Sequence, residues 1–390
     1  MNNIVYFISG RSGGHIIPLI EIASRNFDIK NIHFFATDSV LEKKIFSFNN
    51  SYQVSYIPLP PIPSSCKRYI EYAFLLTKAY IKINNNINSH FVEIHSTGGY
   101  LTVFVVFFVI IKKTVSQSFF LSCMYTFFKI IKVWCRTKSI SFEKCWKCLV
   151  YVFTVIFFSI FCIVNTLYFF QIPYIHKYYK LNVSIYCLDV IPAKSLQFLS
   201  YYARNCYVVF EEAQKYLSKN AILIPYPLKY QEKDRIKDPV AVKKHLGIMQ
   251  DKKILLILGG SQGSQEVIEK VYNLFLLCSL QERSQYELII QSGNNNPEEI
   301  KKKFFQSGII VNTFSFVDDM SSYYIIADKV ITRGGAGTLF ELVFFKKQSF
   351  IIPLRSVAQD HQFLNAISMC KKYDFLKTEE NYTLQEFLFS

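Results

Sequence analysis

Residues 327–366, ADKVITRGGAGTLFELVFFKKQSFIIPLRSVAQDHQFLNA, decide how the chain folds. Their spacing predicts a strand from Lys329 to Thr332, a glycine turn at Gly334, Gly335 and Gly337, and a helix from Thr338 to Phe345. A second strand follows from Ser349 to Pro353, then a polar loop that enters a helix near Gln362. A β-branched strand ending in glycines that open a helix places free backbone N–H groups and a positive helix end where a phosphate can sit. Glu341 falls one helical turn beyond, where a carboxylate suits the paired hydroxyls of a ribose better than it suits packing. The same pattern also occurs in α/β proteins that bind no nucleotide.

Outward from this stretch the pattern repeats. Lys253 to Leu258 reads as a buried strand followed by Gly259-Gly260-Ser261-Gln262-Gly263-Ser264 and a helix from about Gln265. Near the N-terminus, Asn3 to Ile8 runs into Ser9-Gly10-Arg11-Ser12-Gly13-Gly14-His15 and an apolar helix through Ile16, Leu19, Ile20 and Ala23. Val92 to Ser96 ends in Thr97-Gly98-Gly99-Tyr100. None of these loops has the spacing of a dinucleotide fingerprint or the Gly-Lys-Ser/Thr of a P-loop. His15 is either a general base at a glycine turn or a helix-capping, core-edge histidine. Further strands are expected at Ile32 to Ala36, Gln53 to Pro58, Asn182 to Leu188, Cys206 to Phe210, Ala221 to Ile224, Leu288 to Gln291 and Val311 to Phe316. Asp318 and Asp319 stand before a helix near Ser321, a position for capping more than for chelation.

With 390 residues the chain can build two domains, each with a core. A 51% hydrophobic and 17% aromatic composition excludes a disordered chain. A net charge of +15 asks for an anionic partner, although lysine enrichment beside Ile, Asn, Tyr and Phe also follows from biased nucleotide usage. No nucleic-acid-binding motif accompanies the lysines, so nucleic acid is not an expected partner. Ten cysteines at irregular spacing, with Cys145 and Cys148 the close pair, suit reduced thiols. No signal peptide is expected in MNNIVYFISG.

Residues 101–175 break the rhythm. Leu149 to Ile175 holds no charged residue in 27 positions, and Lys129, Lys132, Arg136, Lys138, Lys144 and Lys147 precede it against Glu143 alone. A two-pass hairpin would put basic residues outside, against the positive-inside tendency, so a re-entrant or interfacial anchor on an anionic membrane surface is favoured. An aromatic-rich helical insert is the other reading.

Taken together, SGRSGGHIIPLIEIA, STGGY, LGGSQGSQEV, QSG, FVDDM, ADKVITRGGAGTLFEL and DHQFLNA resemble, in order and approximate spacing, the MurG family of UDP-N-acetylglucosamine transferases. The resemblance covers both halves and fails mainly within 101–180. It implies an α/β fold of the GT-B type, two Rossmann-like domains facing a central cleft, with a hydrophobic membrane-associated insertion in the first. Residues 1–228 would bind the acceptor, 229–239 would link, and 240–390 would bind the UDP-sugar. The implied reaction moves N-acetylglucosamine from UDP-GlcNAc to lipid I, with inversion, at the cytoplasmic face of the inner membrane, with no cofactor and no obligatory metal.

On the donor side the resemblance assigns Lys229, Ser261, Gln262, Gly263, Val317, Ala336, Gly337, Thr338, Glu341, Gln362 and Asn365. Ser261 to Gly263 would cradle the phosphates, Val317 would meet the uracil and Glu341 the ribose. On the acceptor side it assigns Gly13, Gly14, Gly98, Gly99, Tyr100 and Asp189, with His15 as the base. Where the family shows His-Glu-Gln-Asn this chain has Tyr186-Cys187-Leu188-Asp189, and Lys229 stands for an arginine. Arg11 stands for a glycine, and the closing helix of the family is expected to be short or missing. A relative that glycosylates another lipid such as diacylglycerol, and a catalytically silent membrane scaffold, are the competing functions.

Overall fold

The computed structural model describes residues 4–9, 13–58, 75, 78–79, 81–87, 92–99, 101–106, 109, 181–218, 220–248, 251–260, 263–353 and 360–389. Arg11, Tyr100, Cys145, Cys148, Ser261, Gln262 and nearly all of the apolar insertion lie outside these residues. Among the described residues no helix is long and apolar enough to cross a membrane.

Two parallel sheets carry the chain. The first orders its strands β3-β2-β1-β4-β5-β6-β7. They are β1 (Val5–Ile8), β2 (Ile32–Thr37), β3 (Gln53–Ile57), β4 (Val92–Ser96), β5 (Leu181–Cys187), β6 (Asn205–Val208) and β7 (Ile222–Leu223). The second orders β10-β9-β8-β11-β12-β13. Its strands are β8 (Lys253–Leu258), β9 (Tyr286–Gln291), β10 (Val311–Phe314), β11 (Lys329–Thr332), β12 (Gln348–Ile351) and β13 (Leu376–Thr378). In each half the first strand has the second on one side and the fourth on the other, so the winding reverses beside β1 and beside β8. In such sheets the ligand crevice opens at the carboxyl ends of the strands at that reversal.

The central strands are apolar runs because helices cover both faces of a parallel sheet. Val5–Ile8 is buried throughout, as is Ile254–Leu258. Described helices of the N-terminal half are α1 (Gly13–Asn26), α2 (Val40–Ser47) and α3 (Lys194–Ser200). In the second half follow α4 (Gln265–Leu277), α5 (Pro297–Gln306), α6 (Ser321–Ile326), α7 (Ala336–Phe345), α8 (His361–Lys372) and α9 (Leu384–Phe389). Val267, Val271 and Phe275 of α4, Phe304 of α5 and Phe387 of α9 pack with Leu255, Ile257 and Ile331 in one core.

The chain divides into two compact units. Residues 1–11, 26–186 and 194–206 form one, and residues 12–25, 187–193 and 207–390 form the other. The head of α1 and the segment after β5 therefore belong to the second unit.

The expected strands lie within a few residues of the observed ones, β13 was not expected, and one helix start is instructive. Helix α7 begins at Ala336, two residues ahead of the expected Thr338, because Gly335 takes the extended N-cap backbone (φ −70°, ψ 128°) and Gly337 lies inside the first turn. Glycine is a poor helix former, but a Cβ at 337 would come within 3.0 Å of the Tyr226 hydroxyl. Packing sets that glycine, not backbone freedom.

Candidate active site

The loop after β8 and the turn after β9 fit together backbone to backbone. Gly263 sits at φ +76°, its N–H donates to the Gly260 carbonyl at 2.9 Å, and a Cβ there would overlap the Ser292 carbonyl oxygen. Ser264 then caps α4 by accepting from the Val267 N–H. Next to it, the turn after β11 is closed by α8: a Cβ on Gly334 would overlap the Gln362 carbonyl oxygen. Gly335 caps α7 without a side-chain hydrogen bond, which leaves the first amides of α7 as donors.

Arg333 reaches across this edge. Its Nε donates to Gln362 Oε1 at 3.3 Å, and one terminal nitrogen donates to the Gly259 carbonyl, also at 3.3 Å. The same nitrogen is the nearest atom to a Cβ built on Gly260, at 3.8 Å. A guanidinium is thus held beside the glycine loop at the reversal point of the second sheet, where charge growing on a diphosphate can be met.

Glu341 stands on the next turn of α7. It is half-buried, and the buried Tyr324 hydroxyl donates to its Oε2 at 2.6 Å. Burial pushes the Glu341 carboxyl up to about 7, against the pull of the Tyr324 hydrogen bond and of the Lys229 charge. A carboxyl poised there gains by exchanging its proton for two hydroxyl donors. Buried Tyr226 stacks on Phe340 at 4.7 Å, and the hydroxyl of Tyr230 accepts from the Met320 N–H.

Val317 is half-buried in the turn between β10 and α6. Lys229 holds that turn, donating to the Asp318 carbonyl and lying 3.6 Å from its carboxylate. Asp319 accepts from the Ser321 N–H and hydroxyl, each at 2.8 Å, and from Lys237 at 3.3 Å. Burial pushes its carboxyl up, yet these hydrogen bonds hold it below its usual range. Asp319 serves the start of α6. Among the described residues no three His, Cys, Asp or Glu side chains gather to hold a metal ion.

At the head of α1, in the same unit, Gly13 is buried and Gly14 exposed. The Gly14 carbonyl accepts from the Tyr226 hydroxyl at 3.3 Å. His15 Nε2 lies 3.8 Å from Asp189 Oδ2. Asp189 Oδ1 accepts from the amide of Asn365 at 2.8 Å, and Asn365 Oδ1 accepts from the Val190 N–H at 2.8 Å. Asn365 also donates to the Gly334 carbonyl at 3.3 Å and is fully buried.

The first unit holds the turn after β4. Gly98 and Gly99 sit at φ +99° and +98°, a region costly for any other residue. The Gly98 N–H donates to Ser96 Oγ at 2.9 Å and the Gly99 N–H to Ser195 Oγ of α3 at 3.1 Å. Tyr186 shares a hydrogen bond with His95 Nδ1 at 2.8 Å, and His95 Nε2 meets Glu93 at 2.9 Å. That hydrogen bond holds the Glu93 carboxyl below its usual range. The tyrosine hydroxyl at this position is committed inside the first unit.

Of the expected donor residues, the second unit holds Lys229 over the Tyr230 ring, Glu341 against Tyr324, and Val317 in the turn that Lys229 fastens through Asp318. It places Gly263, Ala336, Gly337, Thr338, Gln362 and Asn365 along the strand ends β8 to β12. His15 and Asp189 join Asn365 there, while Gly98 and Gly99 belong to the first unit. The sequence reading missed Arg333, Tyr226 and Tyr324. An arginine between a strand and its glycine turn was the available signal for the first; the tyrosines gave none.

The family model described as "Glycosyltransferase family 28 C-terminal domain" matches residues 254–389, the second sheet and its helices. Among curated proteins the chain is similar to the "UDP-N-acetylglucosamine--N-acetylmuramyl-(pentapeptide) pyrophosphoryl-undecaprenol N-acetylglucosamine transferase" of Natranaerobius thermophilus. Identity is 30% over 194 residues, 48% of this chain and 52% of the relative. The protein of the same name from Thermosipho africanus is 32% identical over 190 residues, 48% and 49% of the two chains. The chain spans about half the length of the curated relatives it matches.

Among solved structures, Acinetobacter baumannii MurG aligns over 99% of this chain and 89% of its own, with a TM-score of 0.57 and 14% identity. An S. aureus MnaA–UDP structure aligns over 97% and 84%, with a TM-score of 0.53 and 12% identity. The fold is that of the GT-B group, two Rossmann-like parallel sheets, as in MurG.

Proposed function

We propose that the chain is a UDP-sugar-dependent transferase that moves N-acetylglucosamine from UDP-GlcNAc to the MurNAc of lipid I, inverting at the anomeric carbon. The observation that carries this reading is the strand-end array of Arg333, the uncapped start of α7 and the Tyr324-bonded Glu341. These groups suit, in that order along the edge, a diphosphate and a ribose. The similarity of residues 254–389 to a family 28 domain and of about half the chain to lipid-linked N-acetylglucosamine transferases supports it.

In this reading residues 240–390 bind the donor, 1–228 the acceptor, and 229–239 link them. Glu341 takes the ribose hydroxyls, Val317 and Lys229 frame the base, and Ser261, Gln262 and Gly263 receive the phosphates. Ala336, Gly337, Thr338, Gln362 and Asn365 line or support the donor. Gly13 and Gly14 hold the lipid-linked pyrophosphate, while Gly98, Gly99 and Tyr100, whose glycine amides bond Ser96 and Ser195, shape the acceptor side without donating to it. His15 takes the proton of the attacking sugar hydroxyl as that oxygen bonds to the anomeric carbon, and the bond to UDP breaks with its electron pair on the phosphate. Arg333 and the amides of α7 stabilise that charge without reorganisation. The apolar, basic-flanked insertion at 101–180 anchors the protein on the anionic cytoplasmic face of the membrane.

The test is UDP release from UDP-GlcNAc by detergent-solubilised protein with and without lipid I. Release that depends on lipid I, with a disaccharide product, is expected. Asp189 in place of the family asparagine favours one second reading, transfer to another lipid such as diacylglycerol, and release stimulated by that lipid alone would establish it.

A further inference from the structure

Asn365 does not have a free end to offer a ligand. Its side-chain oxygen accepts from the Val190 N–H, its nitrogen donates to Asp189 and to the Gly334 carbonyl, and the residue is fully buried. Both amide hydrogens and one of the two oxygen lone pairs are thus taken by the protein, and burial encloses the rest. The amide therefore works as a latch that fixes segment 187–193 against the glycine turn before α7. It also fixes which way the Asp189 carboxylate points, because one oxygen is taken by Asn365 while the other faces His15 Nε2 at 3.8 Å.

We infer that Asp189 is the positioning and charge-stabilising partner of His15, and that Asn365 acts through Asp189 rather than on the donor sugar. The inference rests on the transferase reading and deepens it. When the acceptor hydroxyl gives its proton to His15, the ring becomes a cation, and a carboxylate 3.8 Å away stabilises that cation without taking the proton itself. At this separation the pair is an ion pair in waiting, one that closes to a hydrogen bond on small movement. Among the described residues the buried Tyr226 also borders this cluster, its hydroxyl donating to the Gly14 carbonyl. Burial raises its phenol well above the ordinary range, with Glu341 and Asp189 adding to the rise, so it stays neutral and does not compete for the proton.

The chemistry of the four partners separates charge from shape. Asp189→Asn keeps an oxygen for the Asn365 amide and removes the charge beside His15. Asn365→Asp puts a second carboxylate against Asp189 and breaks the latch. Combined, the two changes restore an amide–carboxylate contact with its polarity exchanged and leave no carboxylate at 189.

The experiment is lipid-dependent turnover by the solubilised protein, these three variants and Asp189→Glu. For Asp189→Asn, kcat is expected to fall at least tenfold with the donor KM within twofold. Asp189→Glu is expected to restore part of kcat. Asn365→Asp should lower both kcat and thermal stability, and the double variant should regain stability but not kcat. Hydrogen exchange at the Val190 amide should rise at least tenfold in Asn365→Ala, a readout independent of turnover. An unchanged kcat in Asp189→Asn, or a loss confined to acceptor KM, overturns the inference. Absence of turnover by the unaltered protein on every lipid acceptor overturns the transferase reading instead, and the inference with it.

Discussion

The turn after β4 and the turn after β11 use the same ingredients, a parallel strand feeding two glycines, and finish in opposite ways. In the first unit the amides of Gly98 and Gly99 are already taken by the hydroxyls of Ser96 and Ser195. In the second unit Gly335 caps α7 with no side chain at all, and the turn is held shut from behind by the Gln362 backbone against Gly334. The first turn spends its donors on the protein; the second is braced so that its donors stay available. A glycine pair in a sequence thus marks a tight turn, and only the neighbouring hydroxyls say whether the turn is also free to bind.

The largest effect should come from breaking the brace. Gly334→Ala forces a methyl into the Gln362 carbonyl and should cost about 2–4 kcal/mol, read from chemical denaturation. Gly335→Ala one position on meets nothing within 4 Å and should stay within about 1 kcal/mol. Equal losses at the two positions would dissolve the contrast drawn between brace and cap.

Next in size is Glu341. Its carboxyl keeps a proton up to about 7 in the folded chain, against an ordinary value of 4.5, so the folded state binds more protons between those values and stability falls as pH rises through them. Glu341→Gln mimics the protonated form and should raise stability at pH 8 by about 1–3 kcal/mol, discounted for partial exposure. The gain should vanish below about pH 4.5. Affinity for uridine, which carries no phosphate to titrate, should fall tenfold or more in the same variant. In the unaltered protein it should weaken as pH drops below about 7. Stability profiles of the two proteins that run parallel from pH 4 to 8 would contradict this.

The smallest effect tests the other turn. Ser195→Ala removes the acceptor for the Gly99 N–H and should cost about 1 kcal/mol without changing uridine affinity. A change in uridine affinity would mean that the first turn is not the self-contained element described.

What could be read from the residues alone follows from these differences. The strands of a parallel sheet are short apolar runs, as in KILLIL and VYFI, and turns at positive φ demand glycine, so both sheets were visible in outline. Glu341 stood out because a carboxylate one turn into an apolar helix needs a reason. The partners that give it one were hidden: Tyr324 lies 17 positions earlier on a separate helix, and Asp189 meets Asn365 across 176 residues. Contacts of that kind leave no periodicity. Asn365 was expected among donor residues, and the hydrogen bonds of its amide to Val190 and Asp189 could not be read from that expectation.

The burial of the Glu341 carboxyl has a thermochemical consequence. A carboxyl that is partly protonated at neutral pH and must ionise to clasp a diol hands its proton to the surrounding buffer. Heats of uridine binding measured near pH 7 should therefore depend on which buffer is present, with the slope against buffer ionisation enthalpy giving a fractional proton released per ligand. In Glu341→Gln that slope should flatten to zero.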